Sequence, residues 1–517
     1  MWAYPEIESL GDIIRYHARR RPDAIALRHG EATLTWAEFD RRTNQVADAL
    51  LETLGPGEHR IAYLGHNSIA YFELMFGVAK AGMAFAPLNW RLAPPELESI
   101  AALLEPQVMI YEHATSGLWL GSEASRRSTI RSIELGAEYD AFVAAGKPID
   151  RNLPICGCDT AIQLYTSGTT GTPKGVELSH GGFSLMRMSE HFEPALTWTE
   201  DDVYLFTMPN FHLAGLSLVV QGLYNGSRIE ILSLFEPGTV LRAINERQPS
   251  IMLVVPAMIQ MLLDHPDCAT TRFSSLRLCM YAGSPIGLNL IKRALVEMRC
   301  DFMQFYGATE TGGALTLLRP HEHDLENEDR LRACGRPMPL AEIRIVDPGG
   351  RELGIGEIGE FLVRTPAVFK GYWRNPELTA QVKERGWYRT GDAGYRDAEG
   401  LYYVVDRVKD MIVSGGENIY CAEIEQALHK HPAVKQAAVV GVPDAKWGET
   451  VKAYVILRDG FEAAPEELIQ HCRGLVAGYK IPRVVEITSA LPVSPTGKVL
   501  KRELRQKHWE GRDRKIG

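Results

Sequence analysis

The 517-residue sequence has no block of basic residues, and its formal net charge is −9. Nothing in that balance points to nucleic acid. It has no long hydrophobic run either. The longest lies near Ser250–Leu263, holds Pro256, and is too short to span a bilayer, so no transmembrane segment is expected. The first residues, MWAYPEIESLGDI, carry early acids and lack the basic-then-apolar order of a secretory signal. The eight cysteines are scattered, and the one close pair, Cys156 and Cys158, has no matching second pair. Zinc is therefore not expected, and buried or free thiols in a reducing cytoplasm are. Internal repeats and low-complexity tracts are missing. What remains, 45% hydrophobic and 23% charged, is the composition of a soluble globular protein, long enough for about three domains.

The first 160 residues alternate helical and extended patterns. Thr35-Trp36-Ala37-Glu38 fits a capping box, and Phe39, Val46, Ala47 and Leu50 follow at helical spacing up to about Leu54. Arg60–Leu64 and Ala84–Pro87 read as short strands, Ile69–Ala81 and Pro94–Leu104 as helices. This alternation predicts an α/β fold built on sheets. No residue before 160 carries evident chemistry.

Tyr165–Gly175, YTSGTTGTPKG, is different. Ile162, Leu164 and Tyr165 lead in as a strand. Glycines let successive backbone N–H groups face one centre, and such nests bind anions. Ser167, Thr169 and Thr170 add hydroxyls and Lys174 adds charge, a set suited to a polyphosphate. The spacing is not that of a Walker A loop, because Pro173 and Gly175 fall where glycine and Ser/Thr are required. Taken alone, the stretch reads equally as a flexible surface loop.

Further on, Phe183–Phe192 reads as helix, and a strand leads into Met208-Pro209-Asn210-Phe211-His212. A lone histidine there is more often structural than catalytic. Strands over Ser250–Val255, Leu278–Ala282 and Asp301–Tyr306 follow, the last two ending in Gly283-Ser284-Pro285 and Gly307-Ala308-Thr309-Glu310-Thr311-Gly312-Gly313. Ligands gather at the carboxyl ends of strands in open α/β sheets. Trp387–Asp392, Asp406–Asp410 and Ser414–Asn418 are charged turns. A small α/β unit closes the chain: helices over Glu423–His429 and Glu466–Val476, strands over Ala437–Val440, Val451–Leu457 and Val484–Ile487. Pro495-Thr496-Gly497-Lys498 and a basic helix, Val499–Lys507, come last.

In order along the chain, YTSGTTGTPKG, FHLAG, AGSP, YGATE, YRTGD, DRVKDMIVSGGEN and PTGK resemble the motifs of the adenylate-forming superfamily. Acyl- and aryl-CoA synthetases, luciferases and peptide-synthetase adenylation domains belong to it. The branch most similar is that of fatty-acyl-CoA and 4-coumarate-type ligases. The resemblance implies a large N-terminal body, residues 1–408, made of α/β sheets that bind AMP and acyl group. It implies a small α+β C-terminal lid, residues 409–517, and no fused carrier domain. The implied reaction has two steps. A carboxylate attacks the α-phosphate of ATP, giving an acyl-adenylate and pyrophosphate. The thiol of coenzyme A then displaces AMP.

The resemblance also implies residue roles. Thr166, Ser167, Gly168, Thr169, Thr170, Gly171 and Lys174 should wrap the β- and γ-phosphates. Glu310 should hold Mg²⁺ with the Thr169 hydroxyl beside it. Tyr306, with Gly307 after it, and the loop Gly283, Ser284, Pro285 should sandwich adenine, and Thr309 should reach the α-phosphate. Asp392 should accept from the ribose hydroxyls with Arg407 in support. Lys498 should meet the reacting carboxylate and α-phosphate. Lys409 matches the hinge, and Ser414, Gly415, Gly416 and Glu417 should line the pantetheine channel. His212 stands where amino-acid-activating domains carry Asp, which disfavours an ammonium-bearing substrate; it joins the catalytic set as a gate beside the acyl pocket. That pocket should be lined by Leu213, Tyr281, Gly283, Gly312 and Gly313, all uncharged. A medium or long fatty acid is preferred, with an aryl acid as the alternative. A non-catalytic nucleotide-binding homologue is the remote one, set against the presence of Glu310, Asp392, Arg407 and Lys498. The expected partners are the small-molecule acid, ATP and CoA, and a homodimer stays open.

Overall fold

The capping box closes as the spacing requires. Thr35 Oγ1 accepts the Glu38 N–H at 3.2 Å, and the Glu38 carboxylate accepts the Thr35 N–H at 2.8 Å. The helix Trp36–Leu54 follows and buries Phe39, Val46, Ala47 and Leu50. It packs on the helix Ile69–Lys80, where a Cβ on Gly77 would lie 2.5 Å from Val46. The glycine is what lets the two helices touch. The computed structural model describes residues 7–127, 129–167, 173–183, 190–408, 410–414, 417–444, 446–473, 475–493 and 499–510.

Two compact units divide the chain: Met1–Glu342 with Val363–Tyr388, and Ile343–Leu362 with Arg389–Gly517. The first holds two large sheets. In the six-stranded one, Arg131–Glu134, Val108–Tyr111, Arg60–Leu64, Ala84–Pro87 and Thr160–Ser167 run parallel, and Pro173–Ser179 returns antiparallel to Thr160–Ser167. The nine-stranded sheet has a parallel centre that includes Ile251–Val254, Leu278–Ala282 and Asp301–Ala308, with Gly313–Leu318 antiparallel beside the last. Its strands are apolar on both faces, as parallel strands covered by helices must be. Pro256 explains the longest apolar run. The strand Ile251–Val254 stops there, and the proline opens the helix Pro256–Asp264, where its missing N–H is harmless.

The second unit centres on the hairpin Val434–Asp444 and Gly448–Leu457. Helices Cys421–His429 and Pro465–Arg473 pack Ile424, Leu428, Leu468 and Cys472 against Val439, Val451 and Val455. The residues around position 409 are anchored inside this unit. Asp406 accepts from the Cys421 N–H at 2.6 Å at the start of the first of these helices, and Arg505 pairs with Asp410 at 3.0 Å.

One expectation lies mostly outside the described residues, and one needs correcting. The helix over Phe183–Phe192 falls mostly on 184–189, outside the described residues, and Glu190–Phe192 is a single 3-10 turn. Cys156 and Cys158 are exposed and joined as a disulfide, because one intervening glycine brings their Cα atoms to 5.1 Å. The other six cysteines are thiols outside any disulfide, as expected.

Candidate active site

The described ends of the Tyr165–Gly175 stretch belong to the paired strands Thr160–Ser167 and Pro173–Ser179. The register sets Tyr165 opposite Gly175 and Thr166 opposite Lys174. Gly168, Thr169, Thr170 and Gly171 lie outside the described residues. Gly175 is a glycine for packing. A Cβ there would come within 2.6 Å of the Gln163 amide and 3.1 Å of Trp373 Cβ.

A segment that sequence reading missed lies along this hairpin. Glu177 N–H donates to Gly371 O at 3.1 Å, Lys370 N–H to Glu177 O at 2.8 Å, and Trp373 N–H to Gly175 O at 2.7 Å. Tyr372 faces Val176 in an antiparallel bridge. Its hydroxyl donates to Glu310 Oε1 at 3.0 Å, and the Lys174 ammonium lies 5.0 Å from its ring centroid. Phe369 N–H donates to Glu310 O at 2.8 Å. Burial, and then the negative Glu310, push the Tyr372 phenol up, so it stays a donor. Gly371-Tyr372-Trp373 carries no sequence signal of its own, since an aromatic pair after glycine reads as core.

The expected adenine loops lie side by side. Leu278–Ala282 and Asp301–Ala308 are parallel neighbours with Ala282 opposite Phe305, so Gly283–Pro285 leaves its strand beside Tyr306, which lies near the carboxyl end of the next. Gly283 has φ +90°, and a Cβ would meet only Val255, at 3.4 Å. Gly307 is required by close approach, since a Cβ would fall 2.1 Å from Gly313 O. Thr309 and Glu310 ride a 3-10 turn fixed by Thr311, which is fully buried. Its Oγ1 accepts from the Ala308 N–H at 2.9 Å and reaches the carbonyls of Ala308 and Gly313 at 2.8 and 2.7 Å.

His212 precedes the helix Leu213–Tyr224, with its ring 4.6 Å from that of Phe211. The loop before it is pinned by buried polar groups. Asn210 donates to Gly65 O at 3.0 Å, Tyr71 to Asn210 O at 2.8 Å, and Asn67 to Met208 O at 3.0 Å.

Two expected pocket residues are placed otherwise. Tyr281 is fully buried in the core, with its hydroxyl 3.2 Å from Gln304 Oε1 and 3.1 Å from His323 Nε2. Strand alternation gives the opposite face to Ala282. Gly312 has φ +71°, and its missing side chain admits the Ala367 backbone, whose carbonyl oxygen would be 2.1 Å from a Cβ. It makes no room for an acyl group. Leu213 is buried at the start of its helix, and Gly313 has φ +142°.

Asp392 and Arg407 belong to the second unit. They face each other across antiparallel strands Trp387–Arg396 and Tyr402–Arg407 and pair at 3.2 Å. Asp392 is buried and Arg407 exposed. Ser414 is opposite Glu417 in a small hairpin. Lys409, Gly415, Gly416 and Lys498 lie outside the described residues. No helix among the described residues is long and apolar enough to cross a membrane.

The profile of the AMP-binding enzyme family matches residues 14–373, and that of the AMP-binding enzyme C-terminal domain matches residues 423–498. The chain is 39% identical over 505 residues to a feruloyl-CoA synthase of Amycolatopsis sp, across 97% of this chain and 99% of that one. It is 36% identical over 517 residues, 99% of each chain, to the fatty acid–acyl-carrier-protein ligase ScoC of Streptomyces coeruleorubidus. The ATP-bound crystal structure of MatB from Rhodopseudomonas palustris is similar at a TM-score of 0.88 and 26% identity, over 97% of this chain and 98% of that one. This chain belongs to the AMP-binding enzyme family, in the acyl-CoA synthetase branch of the adenylate-forming superfamily, and is an acid–thiol ligase.

Proposed function

We propose that this enzyme activates an apolar carboxylic acid, a medium- or long-chain fatty acid, with ATP and passes the acyl group to coenzyme A. The carrying observation is the arrangement Lys174–Tyr372–Glu310. It sets a cation and a carboxylate on either side of one phenol at the foot of a glycine- and threonine-rich loop. A carboxylate is a poor acyl donor, and adenylation gives it a good leaving group. Positioning and electrostatics then carry most of the rate.

In this reading Thr166–Lys174 hold the β- and γ-phosphates. Tyr306 and Gly283–Pro285 hold adenine, and Thr309 meets the α-phosphate. Asp392 accepts from the ribose, with Arg407 beside it. Lys498 supplies positive charge to the α-phosphate and carboxylate during adenylation. The segment from 409 onward turns about Lys409 before thiol attack, and Ser414–Glu417 line the way for pantetheine. His212 borders the acyl chain as a gate.

The Glu310 carboxylate fits Mg²⁺. It is a hard oxygen donor, half-buried, and the Tyr372 hydroxyl that donates to it is a neutral phenol, so its charge is available to a cation. Bound there with the Thr169 hydroxyl, Mg²⁺ would offset phosphate charge and orient the triphosphate.

The fatty acid rests on the ScoC likeness across 99% of both chains and on the uncharged character of the remaining expected pocket residues Leu213, Gly283 and Gly313. The feruloyl-CoA synthase likeness favours an aryl acid as the second reading. Pyrophosphate release over a panel of fatty and aryl acids, with and without CoA, decides between them. Turnover of cinnamate-type acids above all fatty acids overturns the first reading. Failure with every acid overturns both.

A further inference from the structure

Tyr372 is 198 residues from Lys174 and 62 from Glu310 in sequence, yet its side chain touches both. Its backbone is not free to drift. The strap Phe369–Trp373 is hydrogen-bonded to the phosphate-loop hairpin at Gly175 and Glu177, and to Glu310 through Phe369 N–H. The Tyr372 N–H donates to Thr379 Oγ1 at 2.9 Å. Trp373 closes the strap, donating from Nε1 to Leu103 O at 3.1 Å, with the Arg60 guanidinium 3.6 Å from its ring centroid. The ring of Tyr372 is buried and packs edge-on against Phe369 at 4.9 Å. One rigid phenol therefore fixes the separation of an ammonium and a carboxylate that come from distant parts of the chain.

Each contact has a distinct chemical consequence. The hydroxyl donates to one carboxylate oxygen of Glu310, which orients the carboxylate without neutralising it. An arginine in that place would have cancelled the charge. The ring face attracts the Lys174 ammonium but leaves its N–H donors to other acceptors. Both groups are thus held in place while keeping their charge.

We propose that Tyr372 is a positioning residue of the phosphate site: its hydroxyl aims Glu310 at the divalent cation that accompanies ATP, and its ring seats Lys174 against the same triphosphate. The inference rests on the reading of Glu310 as the metal carboxylate, and it assigns Tyr372 a role in cation affinity beyond packing.

The test is ATP binding without acid, followed by calorimetry across a Mg²⁺ titration, with pyrophosphate exchange measured in parallel. Tyr372→Phe keeps the ring and every backbone bond of the strap, so the fold and the Lys174 contact stay. It should raise the Mg²⁺ concentration for half-maximal ATP binding about tenfold, the usual scale for a lost hydrogen bond to a charged group. Exchange at saturating Mg²⁺ should stay within about threefold, since the charges themselves remain. Tyr372→Leu removes the ring as well, and should weaken ATP binding even at saturating Mg²⁺. Glu310→Gln completes a double-mutant cycle: in that background Tyr372→Phe should have no further effect on the Mg²⁺ requirement.

The outcomes separate. If Glu310→Gln raises the Mg²⁺ requirement and Tyr372→Phe does not, the positioning role is overturned and the metal reading stands. If Glu310→Gln leaves it unchanged, the metal reading itself falls. A lowered melting temperature in both Tyr372 variants with an unchanged Mg²⁺ midpoint would mean that Tyr372 only packs.

Discussion

Glu310 and Asp392 are both carboxylates assigned to one nucleotide, and the fold treats them in opposite ways. Glu310 lies on a 3-10 turn and takes its hydrogen bond from a neutral phenol. Asp392 lies within a strand, opposite Arg407, and forms an ion pair at 3.2 Å. A carboxylate aimed by a neutral donor keeps a full charge to offer a cation. One paired with a guanidinium is held as a hydrogen-bond acceptor with its charge largely balanced, which suits neutral hydroxyls. In the proposed reading, local architecture, more than residue type, separates a metal ligand from a sugar ligand.

The sharpest way to break this comparison is to remove the unbalanced charge. Glu310→Ala should lower Mg²⁺-dependent adenylation by about 10³-fold, since a metal clamp on transferring phosphate is worth several kcal/mol. Pyrophosphate exchange at ordinary Mg²⁺ measures it, and near-normal exchange rejects the metal role. Lys498 extends the comparison to a cation. On the proposed role, Lys498→Ala should slow adenylation by on the order of 10²–10³, the scale of one lost electrostatic donor. The same variant, supplied with acyl-adenylate and CoA, should still form thioester. Equal loss of both half-reactions would show that Lys498 does not act in one step alone.

A balanced carboxylate should matter less. Asp392→Asn keeps an acceptor oxygen for the ribose but removes the charge that pairs with Arg407. The expected result is a rise of about tenfold in KM for ATP with little change in kcat, the scale of one charge-assisted hydrogen bond. The Mg²⁺ requirement should not move. If Asp392→Asn shifted the Mg²⁺ midpoint as far as Glu310→Ala does, the contrast between the two carboxylates would collapse.

What the sequence disclosed follows the same line. Periodicity and capping placed the helices Trp36–Leu54 and Ile69–Lys80 and the strands Arg60–Leu64 and Ala84–Pro87, because each is decided by nearby residues. Ordered motifs placed Lys174, Glu310, Asp392 and Arg407 on the chain. They could not show Tyr372, whose meaning comes from a backbone pairing with residues near 175. Glycines were read as space for a ligand or as turns. Gly312 and Gly175 instead admit the Ala367 backbone and the Gln163 side chain. That distinction depends on what approaches from elsewhere in the fold. The positive φ of Gly283 and Gly313 likewise makes a bulky substitution there a test of backbone strain before it is one of pocket depth.

The last expected effect concerns charge that the fold refuses altogether; it is absent at the working pH and confined to acid. His17, His180 and His323 are buried in the first unit, and burial lowers each to about 4. A neutral ring can make each of their contacts. His180 Nδ1 accepts the Leu10 N–H at 3.3 Å, and His323 has Nδ1 2.9 Å from Arg319 O and Nε2 3.1 Å from the Tyr281 hydroxyl. Unfolded, each would take a proton near pH 6.5. The unfolded chain therefore binds more protons between about 6.5 and 4, and stability falls as pH drops through that window. A shift of this size corresponds to on the order of 3 kcal/mol per histidine by pH 4, and to nothing above pH 7. Calorimetric melting at pH 7.5, 6 and 5 should show the transition of the first unit moving down in steps while activity at pH 7.5 is untouched. His323→Gln would remove one of the three titrating groups and flatten the pH slope of the melting temperature, even if it lowers that temperature throughout. A slope unchanged by the substitution would mean that His323 takes up no extra proton on unfolding, against the lowering that its burial imposes.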